Sequence, residues 1–276
     1  GDEGMSTAQT PLARIWGDFA ESKLALVGLA LLAAVMAIAL FAPLLSPQNP
    51  YDLAQLDILD ARLAPGAQAS TGKTHWLGTD DQGRDMLSGI FYGLRISIGV
   101  GVASTLFALS IGIVVGISAA FAGGKLDGFI MRLVDIQLSF PSILIALILL
   151  ALLGQGIDKI IVALVAVQWA YYARTVRSAA LVERGKEYID AARCLAIPTR
   201  RILFHHLLPN CLPPLIVVAT VQVAHAIALE ATLSFLGLGL PITQPSLGLL
   251  IANGFNYLLS GKYWISFFPG VALLVT

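Results

Sequence analysis

Residues 24–45 read LALVGLALLAAVMAIALFAPLL, an apolar stretch without a charged side chain. A helix needs about 20 such residues to cross the roughly 30 Å hydrocarbon core of a bilayer. A helix is the expected conformation because lipid offers no hydrogen-bond partner to an exposed backbone group. This stretch therefore predicts a membrane-spanning helix.

Five further stretches share this composition. Together the six contain 120 residues and one charge, Glu230, whereas the other 156 residues carry the remaining 33 charges. The second density is close to that of soluble proteins, so the chain alternates between lipid and water. We predict an all-α polytopic membrane protein with six transmembrane helices: Leu24–Leu45, Ile96–Phe121, Ile136–Leu153, Ile160–Ala173, Cys211–Leu236 and Tyr263–Thr276.

The two shortest stretches need separate treatment. Ile160–Ala173 becomes long enough to span if its helix begins near Ile157. Tyr263–Thr276 starts with aromatic residues typical of a membrane interface and stops while still apolar. We therefore expect a truncated last span and a natural chain that continues beyond Thr276.

The distribution of Lys and Arg between the spans predicts the orientation. Alternate sides carry 11 and 6 basic residues, with seven in the connection Arg174–Asn210. The positive-inside rule places this connection and the N-terminus in the cytoplasm, and Ser46–Arg95 and Gly237–Lys262 outside. Residues 1–23 are predicted to form a cytoplasmic helix lying in the membrane interface, although an extension of the first span is the alternative.

Small residues recur within the second predicted span. Gly112 and Gly116, flanked by Ser and Ala, form a small-x-x-x-small surface. Such surfaces allow two helix backbones to approach closely. We expect a role in helix packing rather than in substrate contact.

Several chemical functions find no support in the sequence. Ala67–Thr74 satisfies a relaxed phosphate-loop pattern, but the strand before it and the helix after it are missing. His205 and His206 are adjacent, so they point to different helix faces and cannot chelate one ion together. Neither a catalytic constellation nor a metal-ligand set is visible, and no cofactor is expected in this chain.

The basic connection contains two short helices joined at an elbow, residues 186–209. Lys186–Leu195 is a plausible helix, and Ile197 is pushed away from helical geometry because Pro198 follows it. A second helix can restart with Pro198 at its first position and is expected to stop before Pro209. This elbow, too short to be a domain, has the shape of a docking knob.

The elbow resembles the cytoplasmic signature of bacterial ABC importer permeases, E-A-A-x-x-x-G followed by nine residues and I-x-L-P. Asp190, Ala191 and Ala192 stand at its start, and Leu208 and Pro209 stand at its end.

Three positions depart from that signature. Asp190 replaces Glu, Ala196 replaces the glycine and His206 replaces the isoleucine. Because Ala tolerates positive φ poorly, we expect the turn at Ala196 to differ in backbone shape, with Pro198 as the breaker.

A second resemblance covers the external connection and much of the remaining chain. These segments are similar to the dipeptide/oligopeptide/nickel permease subfamily, and to the C-type permease of the pair: His75–Ser88, Tyr92–Ser97, Met131–Asp135, Ser139–Ser142 and Leu229–Gly237.

The resemblance implies a type I ABC importer permease fold, with residues 96–276 as the permease core. It also implies a second homologous permease, two cytoplasmic ATPases that hold ATP and Mg, and a periplasmic or extracellular binding protein that delivers a peptide. The chain would be a non-catalytic, multi-pass subunit of the bacterial inner membrane without a nucleic-acid partner. The coupling residues that it implies are Asp190, Ala191, Ala192, Arg193, Ala196, Pro198, Leu208 and Pro209.

Within the fifth predicted span, Gln222, His225 and Glu230 fall within a helical arc of about 140°. Polar groups in hydrocarbon usually face a cavity or a partner helix. They either line the substrate path or form structural hydrogen bonds between helices.

Four charged residues of the external connection, Asp80, Asp81, Arg84 and Asp85, are candidates for contact with the binding protein. Internal bracing of the connection is the alternative.

Rival functions and substrates stay open at the sequence level. A nickel chelate or another small solute is the alternative substrate. A self-contained secondary transporter is the rival class, but it would need more intramembrane ionisable groups than Glu230 and His225.

Overall fold

The computed structural model describes residues 17, 19–244 and 246–276. Most of the helix predicted for residues 1–23 lies outside this part of the chain. The helices are α1 Lys23–Leu45, α2 Met86–Ala122, α3 Gly124–Ser139, α4 Ser142–Leu153, α5 Ile157–Arg184, α6 Glu187–Cys194, α7 Thr199–Arg201, α8 Leu208–Phe235, α9 Leu247–Phe255 and α10 Trp264–Val275.

The remaining elements are short. Three 3₁₀ turns, Leu53–Gln55, Ile58–Asp60 and Leu258–Ser260, lie in the connections, and a π turn, Ile202–Leu207, joins α7 to α8. Strands β1 (Ala67–Gln68) and β2 (Thr74–His75) pair antiparallel, with Ala67 opposite His75. This hairpin contains the relaxed phosphate-loop pattern, and it leads into a connection rather than into a helix.

Three helices in the described part of the chain are long and apolar enough to cross a membrane. They are Lys23–Leu45, Met86–Ala122 and the continuous rod Thr199–Phe235. The bent pair α3 and α4 makes a fourth if it counts as one span, and Trp264–Val275 is a shorter apolar helix. The structure therefore supports a polytopic helical membrane protein, whereas the number of six spans stays a prediction.

The prediction of one continuous span over Ile136–Leu153 is wrong. The chain breaks between α3 and α4, whose axes differ by 89°. Phe140 is extended at φ −87°, ψ 142°, because the ring of Pro141 disfavours helical geometry at the preceding residue. By contrast, α5 begins at Ile157 as expected, although it continues as far as Arg184.

The close crossing of α2 and α5 lies at the centre of the bundle. A Cβ atom at Gly112 would lie 2.3 Å from the Cβ of Tyr172, and one at Gly116 would lie 2.5 Å from the Ala173 carbonyl oxygen. Only glycine permits so close an approach of the two backbones. The predicted packing role of the small-x-x-x-small surface is confirmed, and its partner is a helix of the same chain.

Candidate functional site

The first limb of the elbow is α6, Glu187–Cys194, close to the predicted helix. It ends in a Schellman motif: the Ala196 amide donates to the Arg193 carbonyl at 2.9 Å, and the Ile197 amide donates to the Ala192 carbonyl at 3.1 Å. Both bonds satisfy carbonyl groups that the end of a helix leaves unpaired.

The expectation of a different turn at Ala196 is wrong. Ala196 has φ +52°, so it adopts the left-handed conformation at the position where the family signature has glycine. The two Schellman bonds hold the turn, at a cost of about 1 kcal/mol for an L-residue with a Cβ atom. Pro198 therefore lies after the turn, and it does not take over from the left-handed residue the role of ending the helix.

The second limb does not stop before Pro209. Thr199–Arg201 passes through the π turn into α8, and the rod continues to Phe235. In the widened turn the Leu208 amide donates to the Leu203 carbonyl, and the side chain of Asn210 donates to the His206 carbonyl at 2.7 Å. The π geometry and this side-chain bond let the helix tolerate Pro209, which lacks a backbone donor.

The elbow exposes only some of the predicted coupling residues. Asp190, Ala191 and Arg193 are exposed, and the Arg193 guanidinium donates to the Asp190 carboxylate at 3.2 Å. Ala192 is instead buried against the chain's own core, beside Ile202. Pro198 and Pro209 are exposed, whereas Leu208 is half-buried.

The most exposed apolar residue of the elbow is one that the sequence analysis missed. Leu195 is 75% exposed and lies directly before the left-handed residue Ala196. Its position directly before the turn could have identified Leu195 as exposed, because a side chain at the end of a helix cannot pack against a following turn of the same helix.

The elbow is also connected to α5 by hydrogen bonds. The phenol of Tyr188 donates to the Glu183 carboxylate at 2.8 Å, and Lys186 donates to the same carboxylate at 2.6 Å. Burial and the neighbouring Glu183 charge raise the pKa of Tyr188 to about 12, so this phenol stays a donor. These bonds hold α6 against the end of α5.

The three polar residues of α8 fall within one arc of the helix, but their environments differ. Glu230 is completely buried, and the hydroxyl groups of Ser97 on α2 and Ser234 each donate to its carboxylate at 2.7 Å. These contacts agree with the interpretation of structural hydrogen bonds between helices. A contact of Glu230 with substrate stays a prediction.

Gln222 and His225 lie about 60° apart around the axis of α8 but differ in burial. Gln222 is buried, and its backbone carbonyl accepts a bond of 3.2 Å from the side chain of Gln168 on α5. His225 is exposed. Of the three predicted path residues, His225 alone presents its side chain on an open face of this chain.

The charged residues that were predicted to contact a binding protein mainly brace their own connection, between α1 and α2, from within. Arg84 and Asp80 are fully buried, and the amide groups of Arg84 and Gln82 donate to the Asp80 carboxylate at 2.8 and 2.9 Å. Asp85 caps α2 by accepting from the Ser88 amide, and His75 lies 2.8 Å from its carboxylate. Among the four, only Asp81 is partly exposed.

Three large apolar side chains of this connection are exposed instead. Ile58, Leu59 and Trp76 all point largely into solvent. The turn that carries Ile58 and Leu59 is rigid: Asp57 caps it, and the Thr79 hydroxyl donates to the Asp60 carbonyl at 2.6 Å. Large apolar side chains that are exposed on a rigid segment are typical of an interaction site.

Metal binding and thiol chemistry find no support in the geometry. In the part of the chain that the structure describes, no three His, Cys, Asp or Glu side chains converge on a possible metal site. Cys194 is exposed and Cys211 is buried, and both are free.

The long apolar helices of this fold define an integral membrane protein, and its sequence places it among transport permeases. The chain belongs to the family "Binding-protein-dependent transport system inner membrane component". The sequence profile of this family matches residues 112–276. Residues 10–65 match the "N-terminal TM domain of oligopeptide transport permease C".

Several curated relatives are similar over nearly the whole chain. The dipeptide transport system permease protein DppC of Escherichia coli K12 is 40% identical over 97% of this chain and 88% of the relative. The di/tripeptide transport system permease protein DppC of Pseudomonas aeruginosa is 36% identical over 97% of this chain and 87% of the relative. The oligopeptide transport system permease protein OppC of Bacillus subtilis is 37% identical, covering 95% of this chain and 84% of the relative.

A solved structure supports the same fold. A chain of the MetNI methionine ABC transporter, in an inward-facing conformation, matches with a TM-score of 0.53 over 69% of this chain and 98% of that chain. Its sequence identity is 22%, so the likeness concerns the fold alone.

Proposed function

We propose that this chain is a permease subunit of an ATP-driven peptide importer, and that it receives the motion of partner ATPases through the elbow 186–209. The full importer would contain a second homologous permease, two cytoplasmic ATPases with their ATP and Mg, and an external binding protein. The N-terminus would lie in the cytoplasm. The peptide substrate is supported by the names of the relatives.

The single observation that carries the coupling proposal is the continuity of the elbow with α8. The rod Thr199–Phe235 begins beside the exposed tip and is long and apolar enough to cross the membrane. A helix transmits displacement along its axis because its backbone bonds resist compression. Movement of the tip would therefore reach the buried bonds around Glu230, and rigid helices would rock about the pathway.

The contact surface would consist of exposed groups of both limbs. Leu195 offers an apolar side chain for a socket on the ATPase, and Ala191 allows close approach because its side chain is small. Asp190 and Arg193 would fix the orientation through charged hydrogen bonds. Ala192 would act indirectly, by packing α6 onto the core.

The external contact would use the apolar residues Ile58, Leu59 and Trp76 rather than the buried charges. Asp80, Arg84 and Asp85 would serve this contact by holding the connection rigid. Asp81 is the member of the predicted set that is exposed enough to add a polar contact.

The coupling proposal is tested with Ala191→Glu in the assembled importer. Because Ala191 is exposed, the chain should fold normally with a glutamate at this position. At the contact with the ATPase, however, the new carboxylate would be buried without a partner or repelled by a like charge, and docking would be disrupted. We expect peptide uptake to fall by about ten-fold or more, with the membrane fold and the amount of chain unchanged. Uptake and peptide-stimulated ATP hydrolysis are both measured in liposomes.

Two comparisons make this test specific. Val182→Glu places the same charge at an exposed position of α5, and it should leave uptake unchanged. Ala192→Glu should instead lower the yield of folded chain, because the position is buried. Unchanged uptake and ATP hydrolysis in Ala191→Glu would contradict the coupling role.

A further inference from the structure

The buried carboxylate of Glu230 is surrounded by hydroxyl groups and not by cations. Ser97 on α2 and Ser234 on α8 each donate to it at 2.7 Å, and the hydroxyl of Ser246 lies beside it. All four residues are completely buried. Among the described residues, no Lys, Arg or His forms an ion pair with Glu230. A buried carboxylate is costly unless its charge is compensated, so neutral dipoles must compensate it here.

The third hydroxyl belongs to the N-cap residue of α9. The Ser246 hydroxyl accepts a bond of 3.2 Å from the Leu249 amide, and the Leu250 amide donates to the Ser246 carbonyl at 3.0 Å. Because this hydroxyl acts as an acceptor toward α9, its own hydrogen is free to point to Glu230. The N-terminus of a helix also carries partial positive charge, which favours a nearby anion. The carboxylate of Glu230 therefore holds the position of an anion at the start of α9.

Helix α9 is packed closely onto the two helices that contribute to this site. A Cβ atom at Gly248 would lie 2.1 Å from the Ala231 carbonyl oxygen on α8. A Cβ atom at Gly93 of α2 would lie 3.1 Å from the Leu247 backbone nitrogen. These contacts leave no room for α9 to shift along α8 while the bonds at Glu230 stay intact.

The other side of α9 is bonded to α10. The Ser266 hydroxyl on α10 donates to the Ile251 carbonyl on α9 at 3.1 Å. The indole of Trp264, also on α10, donates to the Thr79 carbonyl at 3.2 Å. A continuous series of contacts therefore runs from Glu230 through α9 and α10 to the connection between α1 and α2.

We propose that Glu230 is a positioning residue, whose charge fixes the N-terminus of α9 to the rod Thr199–Phe235. A displacement of the rod then carries α9 with it, and the contacts through α10 pass this displacement to the connection between α1 and α2. In this role Glu230 does not touch the substrate. The anchoring of α9 concerns this chain alone, whereas the transmission of movement rests on the proposed function.

The anchoring is tested with variants of the full-length chain in detergent, by hydrogen exchange at the Leu249 and Leu250 amides. Glu230→Gln removes the charge and keeps the size, so both amides should exchange about ten-fold faster or more. Ser246→Asp should also quicken exchange: Asp is as good an N-cap as Ser, but here it places two carboxylates in one buried site. The double variant Glu230→Gln/Ser246→Asp restores a single carboxylate at the start of α9 and should recover slow exchange.

Two controls separate charge from size and from capping. Ser246→Asn has the size of Asp without its charge, and it should quicken exchange less than Ser246→Asp does. Ser22→Asp makes the same change at the exposed N-cap of α1, where the side chain accepts from the Ala25 amide at 3.3 Å, and it should leave exchange in α1 unchanged.

Three results would overturn the anchor. They are unchanged exchange in Glu230→Gln, equal exchange in Ser246→Asp and Ser246→Asn, and a double variant that exchanges faster than either single variant. If Ser246→Asp alone yields no folded chain, recovery of folded double variant supports the anchor, and failure of both overturns it.

The transmission is tested in the assembled importer with its partner subunits. Glu230→Gln should lower kcat for peptide uptake by about ten-fold and leave the KM for peptide unchanged, because the residue touches no substrate. A raised KM with unchanged kcat would indicate substrate contact and overturn the positioning role. If the wild-type importer shows no ATP-dependent uptake, the proposed function fails and the transmission fails with it, whereas the exchange result still decides the anchor.

Discussion

At the residue scale, the left-handed Ala196 makes the sharpest prediction. Ala196→Gly removes the Cβ atom from a residue at φ +52° and should stabilise the turn by up to about 1 kcal/mol. Ala191→Gly is the matched control: at an exposed position inside α6, it should destabilise by about 0.5–1 kcal/mol.

The measurement is hydrogen exchange at the Ile197 amide, which donates to Ala192 within the motif. Exchange should slow in Ala196→Gly and quicken in Ala191→Gly. Faster exchange in Ala196→Gly would show that the turn is not strained.

Single residues also show where a local rule succeeds or fails. The residue before a proline is disfavoured in helix, and Phe140 obeys this rule although the apolar composition of Ile136–Leu153 predicted a straight span. At Pro209 the corresponding rule predicted a stop, but the π turn and the Asn210 side chain kept the helix intact. Both sites contain a proline, and only the surrounding bonds distinguish them.

At the element scale, the crossing of α2 and α5 predicts a large difference between two glycines of the same helix. Gly112→Ala would place a Cβ atom 2.3 Å from Tyr172, whereas Gly99→Ala meets nothing within 4 Å. Gly112→Ala should therefore destabilise by about 1–3 kcal/mol through overpacking, and Gly99→Ala should have little effect.

The thermal unfolding midpoint of the detergent-solubilised chain is the measurement. A midpoint for Gly112→Ala equal to that of Gly99→Ala would contradict the close crossing.

Elements were predictable where one local pattern decided them. The start of α5 at Ile157 and the extent of α6 followed from apolar length and from the Pro198 break. The helix that packs on the Gly112 surface was not predictable. Small residues show that another helix can pack closely against α2, but they do not show which helix it is.

At the scale of the whole molecule, the connection between α1 and α2 forms a module, residues 46–85, that is bonded to the last part of the chain. The indole of Trp264 donates to the Thr79 carbonyl at 3.2 Å, and Arg84 donates to the Ile242 carbonyl at 3.3 Å. The guanidinium of Arg62 lies 5.6 Å from the centre of the Tyr257 ring. The module and the segment around α9 and α10 should therefore move as one unit.

The buried carboxyl group of this module predicts a pH dependence. Burial raises the pKa of Asp80 from 3.8 to about 6, because desolvation outweighs the Arg84 charge and the backbone hydrogen bonds. The folded form therefore holds a proton that the unfolded form loses. The stabilisation that proton binding at Asp80 gives the folded protein is complete below pH 3.8, and it disappears as the pH rises through about 6.

Asp80→Asn keeps an oxygen that can accept the bonds from Gln82 and Arg84 but removes the titration. The unfolding midpoint of the variant should change less with pH between about 4 and 6 than that of the wild type. Equal slopes, measured by thermal unfolding at several pH values, would contradict the raised pKa.

By itself, the sequence determined that the chain is helical and polytopic, that an elbow lies near residues 186–209, and which family signatures it carries. These features follow from composition, helical spacing and proline geometry, which act over a few residues. Only the tertiary structure decided that Glu230, Asp80 and Arg84 are buried and that Leu195 is exposed. Burial depends on distant partners, as in the bond between Ser97 and Glu230, which are 133 residues apart. Local patterns cannot predict which distant segments meet.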